Sequence, residues 1–117
     1  MGRRRVEARR EKLASVAVAP ATSDPADPIE TLIGRSRKAR VKGDARRALV
    51  LLRQACALDE WRARSWTLLG AALARAGVTA EALQALGHAR WLRSRAGDTA
   101  RARVTERLAE RLLARAA

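Results

Sequence analysis

One histidine, His88, and one cysteine, Cys56, stand among 117 residues. A metal site built on several histidines or cysteines is therefore excluded, as is catalysis through a histidine pair. No glycine-rich loop follows a strand-like run, so the sequence lacks a motif for cradling nucleotide phosphates. Cys56 cannot form an internal disulfide, and a buried cysteine commonly behaves as a small hydrophobe. His88 falls in a run that packs as helix, where a structural or surface role is expected. No pair of catalytic groups can be named, so the sequence reads as a non-enzyme with no cofactor and no metal. What remains is positive charge. The formal net charge is +13, and Lys12, Lys38 and Lys42 are the only lysines beside the arginines. Each guanidinium offers a planar, bidentate fork to carboxylate or phosphate. The chemistry on offer is recognition of anions, whether nucleic acid, an acidic protein segment or a membrane surface. Arginine- and alanine-rich chains are also what a GC-rich genome encodes, so the excess alone does not decide.

The elements that must position these arginines are helical by composition. Alanine occurs 27 times, leucine supplies most of the remaining apolar bulk, and Trp61, Trp66 and Trp91 are the only aromatics. Strong helix formers dominate while aromatic strand formers are nearly missing. Residues 1–12 form a basic arm with Arg3, Arg4, Arg5, Arg9 and Arg10; residues 13–26 are rich in Ala, Ser, Thr and Pro. Together, 1–26 reads as a flexible arm and linker. Arg9-Arg10 before an alanine-rich stretch loosely resembles an export signal. That stretch spans only seven residues and Lys12 breaks the pattern. No apolar run approaches the ~20 residues of a membrane span, and a cytoplasmic location is expected.

Order is expected from Asp27. Asp27 can cap a helix, Pro28 suits its first position, and Glu30 sits three residues after the cap. Gly43-Asp44, Asp59, Gly77 with Thr79, and Gly97-Asp98 punctuate the rest. These signals predict five helices near 28–42, 45–58, 60–76, 80–96 and 99–116, with short connections between antiparallel neighbours. Val104, Leu108 and Leu112 stripe the last one.

The punctuation repeats. Gly43 and Gly77 are 34 residues apart, as are Ala48 and Ala82, Leu52 and Leu86, Ala55 and Ala89, and Leu32 and Trp66. In the second unit Trp66, Leu69, Gly70, Leu73, Ala82, Leu86 and Ala89 match the small, large and glycine positions of the tetratricopeptide repeat, which the chain resembles. The first unit keeps Ala48, Leu52 and Ala55 but has Arg35 and Ser36 in place of Leu-Gly. The resemblance implies an all-α fold: a short α-solenoid of two tetratricopeptide-like helix pairs, 29–62 and 63–96, plus a C-terminal capping helix, 97–117. The domain would run over 27–117. Two units are few, so self-association as a homo-oligomer or a partner would complete the array.

In that family the first helix of each pair lines a concave groove. Carried onto this chain, the groove-facing positions are Glu30, Arg37, Arg40, Arg64, Thr67 and Arg75, with Arg101 added from the closing helix. The resemblance thus implies a non-catalytic adaptor or scaffold that holds an acidic or extended segment of a protein partner. The family's carboxylate clamp for chaperone tails uses lysine and asparagine. This chain has no asparagine and no lysine in its second unit, so that specificity does not transfer. The alternative is a nucleic-acid- or ribosome-associated factor that sets the arginine-rich arm and groove on phosphates. Trp66 is expected in the core. Trp61 sits at a helix junction, where anchoring a partner is the alternative to packing.

Overall fold

The computed structural model describes residues 27–116. They form five helices: α1 (Pro28–Val41), α2 (Ala45–Leu58), α3 (Ala63–Arg75), α4 (Thr79–Arg95) and α5 (Thr99–Ala116). No strand occurs among the described residues. The fold is all-helical and solenoid-like, with each helix packed against its neighbours in sequence. The basic arm with Arg3, Arg4, Arg5, Arg9 and Arg10 lies outside the described residues.

Local chemistry sets these bounds. The Asp27 carboxylate accepts the backbone N–H groups of Ile29 and Glu30 at 3.0 and 3.4 Å, and Pro28 opens α1. This satisfies donors that have no partner within the helix. One turn then recurs three times. Gly43, Gly77 and Gly97 each take φ near +80°, and the residue after each glycine donates its N–H to a carbonyl five residues back. The bonds are Asp44 to Ala39 at 2.8 Å, Val78 to Leu73 at 2.9 Å and Asp98 to Arg93 at 2.8 Å. This is a Schellman closure, in which glycine adopts the left-handed conformation without a Cβ penalty.

The link between the pairs differs. Asp59 was expected to cap the third helix. Its carboxylate instead accepts the N–H of Trp61 at 3.0 Å, closing a turn in the link. Helix α3 therefore starts at Ala63, after an Arg62 that supplies no side-chain cap.

A continuous core runs through Ile29, Ile33, Leu52, Ala55, Cys56, Leu69, Leu73, Ala82, Ala85 and Leu112. Leu86 and Ala89 are also buried. Burial raises the Cys56 thiol to about 11, so it stays neutral near pH 7. Helices α3 and α4 approach closely at Gly70, where a Cβ would lie 2.7 Å from Leu86 Cγ. Trp66 is half-buried and packs against this core. Its indole N–H donates to the Glu60 carbonyl at 3.0 Å, which holds one edge of the ring at the surface. The packing stripe of α5 also differs from expectation. Ala102, Thr105 and Leu112 are buried and Leu108 is half-buried, while Val104 is half-exposed. Ala102, Thr105, Ala109 and Leu112 recur at three- and four-residue steps, and Val104 falls one position out of that phase.

Candidate functional site

The first helices of the two pairs run in the same direction, so residues one repeat apart lie side by side. At their N-terminal ends this juxtaposes opposite charges. The Arg64 guanidinium donates to both oxygens of Glu30, at 3.0 and 3.2 Å. Arg62 donates to Asp27 at 2.9 Å and lies 3.6 Å from Asp59 and 3.9 Å from Glu30. The hydrogen bond from Arg62 holds the Asp27 carboxyl below the ordinary aspartate range. Three acids and two arginines therefore offset one another at one end of the groove, with one negative charge in excess. Thr67 turns its hydroxyl onto the Ala63 carbonyl at 2.9 Å, a bond within its own helix.

The C-terminal ends of α1 and α3 carry the opposite arrangement. Arg37, Arg40 and Arg75 border one cavity of about 330 Å³ whose walls include Ile33, Ser36, Leu52, Leu68 and Ala72. Partial burial, followed by the nearby Arg40 charge, holds Arg75 below the usual guanidinium value. Arginine stays charged in proteins all the same. This crowding of like charge is relieved by any anion that enters between the two guanidinium groups. Arg115, from the end of α5, shares a second crevice with Arg75 and carries the basic surface across the third layer.

The charge extends beyond the groove. From Arg35 to Arg47 there are seven cationic side chains and a single acid, Asp44. All seven are exposed. Neither they nor Arg75 form an ion pair with any described residue. Lys38 and Arg40 sit in the last turn of α1, where the helix dipole welcomes cations. Arg46 and Arg47 sit in the first turn of α2, which has no acid of its own. Cations there oppose the dipole, at a cost of typically ~0.3–1 kcal/mol each when exposed.

Arg101 does not join the cluster. It lies at the start of α5, near the opposite end of the helices, and donates to Asp98 at 3.0 Å. Of the residues expected in the groove, Arg37, Arg40 and Arg75 come together, Arg64 is paired, Thr67 is turned inward and Arg101 is elsewhere. Sequence reasoning missed Lys42, Arg46, Arg47 and Arg115 as neighbours of that trio. The density of charge from 35 to 47 was the available signal for the first three. Nothing local pointed to Arg115.

A family model described as the bacterial transcriptional activator domain matches residues 4–113. The chain belongs to that family. The resemblance to the tetratricopeptide repeat is corrected by this match, which spans nearly the whole sequence. The 34-residue period reports stacked helix pairs closed by the same turn, a physical arrangement that is not restricted to one family. The first pair, with Arg35 and Ser36 at the Leu-Gly positions, already departed from the repeat pattern. No curated protein matches the chain. No helix among the described residues is long and apolar enough to cross a membrane.

Proposed function

We propose that this chain is a non-catalytic module of bacterial transcriptional activation that lays its basic end on the nucleic-acid backbone. The observation that carries this reading is the run of seven exposed cations at the α1–α2 turn, without ion-pair partners among the described residues and extended by Arg75 and Arg115. Phosphates spaced along a duplex suit such a surface, because each contact releases condensed counterions. Contacts of this kind position a protein without reading sequence, which fits a module acting beside a separate sequence reader. The family membership supports a role in transcription, and a cytoplasmic location beside the chromosome goes with that reading.

A second reading rests on the cavity itself. Its apolar walls of Ile33, Leu52, Leu68 and Ala72 beneath three guanidinium groups suit an acidic protein segment that also carries an apolar side chain. Phosphate backbone needs no such floor.

Fluorescence anisotropy on a short labelled DNA duplex separates the two. The triple change Arg37→Glu, Arg40→Glu, Lys42→Glu is expected to weaken binding at least tenfold more than Arg103→Glu, Arg107→Glu, Arg111→Glu on α5, which alters net charge equally. Equal losses from the two triples would reduce the interaction to bulk charge and remove the basic end as a site. No duplex binding by the wild type, with an acidic peptide bound instead, would put the second reading first.

A further inference from the structure

At the opposite end of the helices lies a surface of different chemistry. Trp61, in the link between α2 and α3, is 67% exposed and Trp91, in the last turns of α4, is 46% exposed. Their ring centroids are 6.0 Å apart. His88 stacks on Trp91 at 5.9 Å and meets Trp66 edge-on at 4.6 Å. Its Nε2 lies 3.2 Å from the Glu60 carbonyl, which also accepts the Trp66 indole N–H. Four rings therefore run from the half-buried Trp66 to open surface, and each is held by the next. Exposed tryptophans in so fixed an array match the anchors found at protein interfaces.

The Arg95 guanidinium caps the array. It lies 5.6 Å from the Trp61 ring centroid and 5.0 Å from that of Trp91. No described residue forms an ion pair with it. With the cation set over the indoles, its N–H edges remain available for a carboxylate. Beside the array, a crevice of about 480 Å³ among α2, α3 and α4 is lined by Cys56, Ala57, Trp66, Leu69 and His88, with Glu60 and the Arg53–Glu81 ion pair among its walls. A ligand's carboxylate therefore belongs on Arg95, and only its apolar side chain in the crevice. His88 and Trp66 belong to both array and crevice, so a ligand can span them.

We propose that the Trp61–Trp91–Arg95 ledge and its crevice form a second docking surface, for a protein segment that sets a carboxylate on Arg95 and an apolar side chain in the crevice. Two observations favour such a segment over nucleic acid. Asp59 and Glu60 adjoin Trp61 in sequence and repel a continuous run of phosphates, whereas one carboxylate can be seated on Arg95 alone. His88 also stacks on Trp91 and Arg95 lies over both indoles, which leaves less open face for stacked bases. At 1.5 Å per residue, helices of this length separate the ledge from the basic end by roughly 20 Å. One module can thus hold nucleic acid at one end and a protein at the other.

The test uses the full chain at ~0.15 M salt, where surface steering is damped. The probe is a fluorescein-labelled short peptide with a single aspartate beside a leucine in an otherwise serine–glycine sequence. Controls are the same peptide with serine for leucine, and a thymidine oligonucleotide. The aspartate–leucine peptide is expected to bind at least tenfold more tightly than the aspartate–serine peptide and to quench tryptophan fluorescence. Arg95→Gln and Trp61→Ala should each weaken it at least fivefold at unchanged far-UV helicity. Arg37→Gln with Arg40→Gln, at the distant end, should change it less than twofold. The proposal is overturned if both acidic peptides bind alike, or if Arg95→Gln and Trp61→Ala leave affinity intact. It is equally overturned if the oligonucleotide is the better ligand and loses affinity on Trp61→Ala, since the ledge would then be a base platform.

Discussion

The two helix pairs close with the same turn and match Leu52 with Leu86, yet they differ at several buried positions, Ser36 and Gly70 among them, and over most of their surface. Gly70 in the second pair lets Leu86 of α4 sit directly against α3. Its counterpart in the first pair is Ser36, whose hydroxyl donates to the Ile33 carbonyl at 2.7 Å and borders the cavity beside Leu52. Gly70 thus closes the second pair at this level, while at Ser36 the first pair borders a crevice that is rimmed by arginine and shared with α3. Their outward residues diverge further, with cations on α1 and the start of α2 against tryptophans and histidine at the far end of α4. Inward positions stay small or apolar in both pairs because the helices must pack. Outward positions are free to take on binding chemistry, and the two pairs have taken on different kinds.

The sharpest way to test the packing half of this contrast is truncation of the equivalent leucines. Leu86→Ala is expected to cost ~2–5 kcal/mol in denaturant unfolding. Leu52→Ala should fall nearer the lower end, because its neighbourhood already adjoins a cavity and loses fewer contacts. An equal or larger loss at Leu52 would break the distinction between a closed and an open pair.

A smaller effect is expected from adding bulk at helical glycines. Gly70→Val should destabilise by ~1–3 kcal/mol through overpacking against Leu86. Gly34→Ala in the first pair meets nothing within 4 Å and should stabilise by ~0.5–1 kcal/mol, as alanine does in an open helix interior. Thermal melts of the two variants check both signs at once.

The charged links between layers add a pH dependence. The hydrogen bond from Arg62 lowers the Asp27 pKa, and that from Arg101 lowers the Asp98 pKa. A carboxyl whose folded pKa lies below its unfolded value stabilises the fold above the unfolded pKa. That stability fades as pH falls through the folded pKa. The melting temperature should therefore be nearly flat from neutral pH to about 5 and decline below about 4. Asp27→Asn should lower the neutral plateau slightly and shallow the acid decline. An unchanged acid profile in that variant would show that the Asp27–Arg62 link contributes nothing measurable.

Much of the fold was legible because its determinants are local. Asp27-Pro28, Gly43-Asp44 and Gly97-Asp98 act through backbone preferences that need no tertiary context, and the spacing of Ala48, Leu52, Ala82 and Leu86 reports helical packing directly. The misread features depend on partners distant in sequence. Asp59 looks like a helix cap until the link to α3 is seen to need its own turn. Val104 looks like part of the α5 stripe until the approach of α4 fixes which phase faces inward. The groove was half legible. Its positions were implied by the tetratricopeptide resemblance, but Glu30 and Arg64 pair because they stand one repeat apart, which removes Arg64 from the free cations. Arg75 and Arg115 meet only through the stacking of three layers.

The central claim is that the basic end holds phosphates, and the salt dependence of duplex binding tests it most directly. Each phosphate neutralised by a side chain contributes a slope of about −0.9 to a plot of log affinity against log salt. If Arg37, Arg40 and Arg75 contact phosphates, the neutral triple variant Arg37→Gln, Arg40→Gln, Arg75→Gln should shallow that slope by roughly 2–3 relative to wild type. Helicity should stay unchanged. Parallel lines for wild type and variant would contradict the account, because they would show that these arginines release no counterions on binding.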